Sequence, residues 1–218
     1  MEEDKMVTLI LERHGQSDGN VLKMFTGHTD LPLTELGKKQ VKKSAEFVVG
    51  KYKIDKIYSS DLTRAMQTAQ FVADKTGLEI IKSENLRELF AGKWDGQLFT
   101  YIEENFPEDW AKWQNDPGNS RCTGGESMKE LSKRVVSELT RIAEENDGKT
   151  VFIATHATPV KVAQCYFKKW DVEDIKNISF TANASLTVVE YDKGNWTIKL
   201  ESYDEHLGEM KTKLPANV

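Results

Sequence analysis

Two short segments, 7–11 (VTLIL) and 150–154 (TVFIA), form apolar runs without the polar alternation of a half-wetted strand. A strand that is apolar on both sides needs cover on both faces, which parallel sheets receive from crossover helices. The intervening sequence supplies such helices. Residues 35–52 carry Leu36, Val41, Ala45, Val48 and Tyr52 at helical spacing, and 62–75 carry Leu62, Ala65, Met66, Ala69, Val72 and Ala73. Gly77 is a stop signal for the second of these. Segments 56–58 and 78–82 read as further strands, 127–145 as a long amphipathic helix, and 158–167 as another. Residues 185–191 and 196–202 read as a hairpin closed by Asp192-Lys193-Gly194-Asn195. Strand and helix alternate, so the expected architecture is α/β: an open, mostly parallel sheet in three layers, with helices on both faces.

Residues 98–121 break this rhythm with Phe99, Tyr101, Phe106, Trp110 and Trp113, punctuated by Pro107 and Pro117. They read as a helical insertion over the main body, within a single domain spanning 1–218. The chain has 218 residues, 39% of them hydrophobic, which suffices for a sizeable core and excludes a disordered chain. Its net charge of −5 argues against general binding to nucleic acid or to an anionic membrane. No run approaches the ~18 apolar residues of a membrane span. The opening MEEDKM lacks the basic flank of a signal peptide, so the expected location is cytoplasmic. Two cysteines, Cys122 and Cys165, make neither a disulfide framework nor a zinc knuckle. Cys165 is expected to pack on a helix, Cys122 to be exposed in a Gly-rich loop, and His206 to be solvated in a charged tail.

In open parallel sheets, ligands bind beyond the carboxyl ends of the strands. Here the first strand runs into Arg13-His14-Gly15. The second leads through Ser59-Ser60-Asp61 to a helix bearing Arg64, and the 150–154 strand ends at His156. Guanidinium groups and helix N-terminal N–H groups suit phosphoryl oxygens. A lone His-Gly after a strand is usually a turn, and a lone arginine is usually solvated. Two of each at three strand tips point to a site. A metal centre of His14, His28 and His156 is the competing arrangement. Arg13 beside His14 opposes it, and there is no His-x-x-x-His spacing.

Six segments in order resemble the histidine phosphatase superfamily, whose fold is phosphoglycerate mutase-like. They are Leu11-Glu12-Arg13-His14-Gly15-Gln16-Ser17 with Asn20, then Thr26 through Thr34 with Gly37 and Gln40. Next come Tyr58-Ser59-Ser60-Asp61-Leu62 with Arg64-Ala65 and Gln67-Thr68-Ala69, and Leu86-Arg87-Glu88 with Gly92-Lys93-Trp94-Asp95-Gly96. Gly124-Gly125-Glu126-Ser127 and Thr155-His156 complete the set. The resemblance implies that His14 is a nucleophile forming a phosphohistidine. It implies that Arg13, Asn20, Arg64, His156 and the backbone of Ala157 hold the phosphoryl group. Glu88 would be the proton donor and acceptor, and Thr26, Gly27 and His28 would border the substrate. Neither metal nor cofactor is implied.

The implied partner is a small phosphorylated metabolite, and a homodimer is compatible with the sequence. Hydrolysis is favoured over a mutase, because Leu89-Phe90-Ala91 stands where mutases of this superfamily typically carry Arg-His-Tyr after the acidic residue. A non-catalytic phospho-ligand module is the remaining alternative, opposed by the full set of His14, Arg13, Arg64, Glu88 and His156. One departure is His156-Ala157-Thr158-Pro159, where the family often has two glycines after the histidine. The substrate class stays open among sugar phosphates, nucleoside-derived phosphates and α-ribazole phosphate.

Overall fold

A computed structural model describes residues 6–212; the acidic opening at 1–5 and the segment 213–218 lie outside the described residues. The chain runs β1 (Val7–Arg13), α1 (Asp18–Val21), β2 (Met24–Phe25), α2 (Glu35–Lys51), β3 (Lys56–Ser59) and α3 (Thr63–Thr76). It continues with β4 (Ile80–Lys82), β5 (Gln97–Leu98), α4 (Phe99–Asn105), α5 (Pro107–Asn115) and α6 (Met128–Glu144). The last elements are β6 (Thr150–Thr155), α7 (Ala157–Phe167), β7 (Leu186–Asp192) and β8 (Asn195–Tyr203). Six strands form one sheet in the order β4-β3-β6-β1-β7-β8, and β2 and β5 make a separate two-stranded ribbon. Strands β4, β3, β6 and β1 are parallel, whereas β7 runs antiparallel to β1 and β8 antiparallel to β7. The antiparallel edge follows from the tight hairpin. Lys193 and Gly194 both take positive φ, 48° and 86°, as a two-residue turn of matching twist requires.

The two continuous apolar runs become the adjacent central strands β1 and β6, with Leu9 opposite Val151 and Leu11 opposite Ile153. Alternate residues of each enter different cores. Leu9, Leu11, Val151 and Ile153 pack with α6, α7 and the 98–121 segment; Ile10, Phe152 and Ala154 pack with α2 and α3. That two-sided burial is why neither strand shows a polar face. Beneath the 98–121 segment, Trp94 is fully buried and meets Phe25, Trp110 and Trp113 edge-on. Cys122 is also fully buried, contrary to the expected exposure, because its Gly-rich loop folds under Trp94: Thr123 Oγ1 accepts from Trp94 Nε1 at 3.1 Å. Cys165 packs in α7 as expected. Among the described residues no helix is long and apolar enough to cross a membrane.

The first turn of α2 sets the path of the chain after β1. Thr34 caps the helix by accepting from Gly37 N at 3.0 Å. A Cβ on Gly37 would stand 2.0 Å from the carbonyl oxygen of Gln16, and one on Gly15 would stand 2.6 Å from the carbonyl oxygen of Gly37. Gly15 is therefore small to admit the first turn of α2. Gly37→Ala is expected to cost about 1–3 kcal/mol, since backbone must yield on both sides. Denaturant unfolding checks this, and an unchanged midpoint would show that the two segments separate freely.

Candidate active site

β1, β3 and β6 end side by side, and their tips deliver the predicted groups together. Arg13 ends β1 and His14 follows it, Ser60 and Arg64 follow β3, and His156 is the N-cap of α7. All are buried, Arg64 and His156 completely. His14 Nδ1 lies 2.7 Å from the carbonyl oxygen of Gly15. A carbonyl only accepts, so Nδ1 carries the hydrogen and the lone pair is left on Nε2. The ring sits edge-on to His156, 5.2 Å between centroids. Burial first, then Arg64 and Arg13, holds the His14 pKa well below the usual histidine value. The ring is thus neutral, as a nucleophile must be.

Arg64 is fixed by three acceptors: Gly27 O at 2.7 Å, Thr29 O at 2.9 Å and His156 Nδ1 at 3.2 Å. Accepting at Nδ1 makes His156 the Nε2–H tautomer, and that hydrogen meets Ser60 Oγ at 2.8 Å. Arg13 Nη1 donates to Thr181 O at 2.6 Å, while its buried Nε has no acceptor among the described residues. Burial lowers the Arg13 pKa to about 10, with Glu88 opposing and Arg64 adding to that effect. Glu88 accepts from Leu89 N at 2.8 Å and from Thr158 N, in the first turn of α7, at 3.3 Å. Asn20 Oδ1 accepts from Ser17 N, Ser17 Oγ and Asn183 Nδ2 at 3.0, 3.2 and 3.1 Å. With the oxygen engaged three times, the amide Nδ2 is turned outward as a donor.

These groups open into a cavity of about 150 Å³. Arg13, His14, Asn20, Thr26, Gly27, Glu88 and Ala157 line it, whereas Arg64 and His156 do not. Phe99, Trp113 and Pro117 from the 98–121 segment supply part of the roof, so this segment both pads a core and shapes the cavity. His28 is placed elsewhere. It lines a separate shallow groove, its ring tilted on Phe90, and its Nε2 donates to Glu88 O at 2.9 Å. It therefore braces the backbone of Glu88 instead of bordering the cavity. No group of three or more His, Cys, Asp or Glu residues is gathered for a metal among the described residues.

Several groups at the site had no role assigned from the sequence. Arg134 of α6 donates to the carbonyls of Asn85, Arg87 and Glu88 and pairs with Glu126, clamping the Glu88 segment. Asp95 accepts from His28 N and Ala91 N at 2.7 and 3.2 Å. Asn183 joins His14 O to Asn20. Asp95 had a readable signal in the Gly92-Lys93-Trp94-Asp95-Gly96 segment, and Arg134 as a cation on the polar side of a strongly amphipathic helix.

His206 corrects the expectation of a solvated tail residue: it packs in a three-ring cluster with Phe47 and Tyr203, and burial lowers its pKa to about 4. His14 and His156 are likewise depressed, burial being the first cause in each. A histidine depressed in the folded state binds fewer protons than in the unfolded chain. Its stabilising share is present above the unfolded value near 6.5 and is lost as pH falls towards the folded value. For His206 that window runs from 6.5 to about 4, and with solvent screening is expected to cost on the order of 1–2 kcal/mol. His206→Phe should flatten the fall in melting temperature over that range; an equally steep fall would place the titration elsewhere.

Comparison with known proteins agrees with this geometry. Residues 9–203 match the family profile of the Histidine phosphatase superfamily (branch 1). The chain is 32% identical over 204 residues to Phosphoserine phosphatase 1 of Hydrogenobacter thermophilus, covering 94% of this chain and 96% of that protein. It is 32% identical over 197 residues to the glucosyl-3-phosphoglycerate phosphatase of Mycobacterium tuberculosis, covering 86% of each. The solved structure of Bacillus stearothermophilus YhfR superposes with a TM-score of 0.88 at 27% identity, covering 92% of this chain and 99% of that one. The chain belongs to the histidine phosphatase superfamily.

Proposed function

We propose that this chain is a phosphoric monoester hydrolase that works through a phosphohistidine at His14 on a small phosphorylated metabolite. The observation that carries it is the His14 ring on the cavity wall, locked at Nδ1 by Gly15 O and kept neutral by burial and by the charges of Arg64 and Arg13. Nε2 attacks phosphorus; the N–P bond forms as the P–O ester bond breaks. The leaving oxygen takes its proton from Glu88. Water then attacks phosphorus, gives a proton back to Glu88, and the N–P bond breaks to release inorganic phosphate.

Arg13 supplies a buried Nε–H that lacks an acceptor, and Asn20 an outward Nδ2, to the phosphoryl oxygens. Ala157 N–H at the start of α7 adds a backbone donor. Arg64 and His156 are the remaining proposed donors: His156 lies edge-on to His14 and accepts from Arg64 at Nδ1, and its Nε2–H would exchange Ser60 Oγ for a phosphoryl oxygen. These donors meet charge that spreads over the oxygens during transfer. The proposed unit is one domain over 1–218, with the 98–121 segment roofing the site. A cytoplasmic location, no nucleic-acid or membrane partner, and an optional homodimer complete the proposal.

An assay with a generic aryl phosphate tests this function beside a mutase assay primed with bisphosphoglycerate. Release of inorganic phosphate that persists in a chelator is expected, because arginines neutralise the transferred group. Loss on chelation with recovery on adding a divalent cation would overturn the metal-independent mechanism. Phosphoryl return to a sugar acid would make the chain an isomerase.

A further inference from the structure

Residues 87–91, which carry Glu88, belong to no strand or helix. Their backbone groups therefore depend on side chains from elsewhere. The carbonyl of Glu88 accepts from two of them, His28 Nε2 at 2.9 Å and Arg134 Nη2 at 3.3 Å. Arg134 also donates to Asn85 O and Arg87 O and pairs with Glu126, so it holds the segment as a whole. Among the described residues the His28 side chain makes one hydrogen bond, the shorter of the two to Glu88 O.

That bond acts on the carboxyl through a single rigid unit. The Glu88 carbonyl and the Leu89 N–H are opposite ends of one planar peptide group. Leu89 N donates to Glu88 Oε1 at 2.8 Å. Holding the oxygen end with His28 fixes the direction of the N–H end, and the N–H end holds the carboxyl. Bonds in such a chain also polarise one another. His28 is in turn tied to the phosphoryl side of the site. Its neighbours Gly27 and Thr29 give their carbonyls to Arg64 at 2.7 and 2.9 Å. Its own backbone N–H donates to Asp95 Oδ1 at 2.7 Å, and a Cβ on Gly27 would stand 2.1 Å from that oxygen. The 27–29 backbone has little room to shift, and the Phe90 ring at 5.3 Å limits the swing of the imidazole.

We propose that His28 is a positioning residue for proton transfer: acting through the Glu88–Leu89 peptide, it sets the Glu88 carboxyl in place relative to the phosphoryl group that Arg64 helps to hold. The inference rests on the hydrolase function proposed above, with Glu88 as the acid. One tripeptide then fixes both halves of the site, Arg64 by the carbonyls of its outer residues and Glu88 by the side chain of its middle one. Without the His28 donor the peptide is left to Arg134 at the longer distance, and the carboxyl loses its alignment with the ester oxygen while the phosphoryl group stays gripped.

The test compares kcat/KM for 2-phenylethyl phosphate, an alkyl ester, with that for 4-nitrophenyl phosphate. For both, kcat/KM reports the steps up to phosphorylation of the enzyme, in which only the alkyl leaving oxygen needs a proton. His28→Leu is expected to lower the alkyl value about tenfold and to keep the aryl value within about twofold of wild type. His28→Gln, whose amide Nε2–H replaces the imidazole donor, should return the alkyl value to within about threefold of wild type. Equal losses on both esters in His28→Leu would overturn the proposal, by making His28 a support of the fold or of Arg64. No loss on either ester, while Glu88→Gln loses the alkyl ester selectively, would overturn it and leave Glu88 as the acid. If the wild-type chain hydrolyses neither ester, the hydrolase function fails and the positioning role with it.

Discussion

Replacing His14 by alanine is expected to lower phosphatase turnover by about 10⁴-fold or more, with the fold intact. The size follows from the site's division of labour. Arg13, Arg64 and the α7 N-terminus still gather the phosphoryl oxygens, but no atom remains to accept phosphorus. The His14 side chain contributes one hydrogen bond, to Gly15 O, and no ion pair among the described residues. Its loss removes a buried ring that burial and two arginines force to be neutral. Stability at neutral pH should change little beside turnover. Steady-state kinetics and thermal melts on the same preparation check both halves. Retained turnover would assign the nucleophile elsewhere.

Glu88→Gln should separate the two chemical steps. An amide can hold Leu89 N through its oxygen but neither gives nor takes the proton. For an alkyl phosphate, whose leaving alkoxide needs that proton, turnover is expected to fall about 10²–10⁴-fold. An aryl phosphate leaves without protonation, so His14 should still be phosphorylated. Dephosphorylation then lacks its base, and the phosphoenzyme should accumulate as a burst of one phenolate per chain. Equal losses on both substrates with no burst would show that Glu88 acts through the cavity's shape instead.

The strand tips were legible because their cause is local. An apolar run flanked by Arg-His-Gly, or ending at His156, reveals in one dimension both the buried strand and the group it projects. The same holds for α2, α3 and α6, whose periodicity survives in the structure. Contacts set by distant loops were not legible. Asn183 and Thr181 reach His14, Asn20 and Arg13 across more than 160 residues, from a stretch with neither periodicity nor charge. His28 looked like a cavity residue because its neighbours Thr26 and Gly27 are. Its ring turns the other way because Asp95 accepts from its backbone N–H and Glu88 O from its ring. Cys122 and His206 failed for a shared reason: glycine-rich and charged segments read as surface, yet both fold against aromatic side chains.

The locked tautomer of His14 gives the sharpest test. Rapid acid-free quenching of the Glu88→Gln chain after mixing with ³²P-labelled aryl phosphate, followed by peptide mapping, should place the label on the peptide bearing His14. The adduct should be stable to base, labile to acid, and bonded at Nε2. A label on Nδ1, on another residue, or on none while product forms would contradict the mechanism.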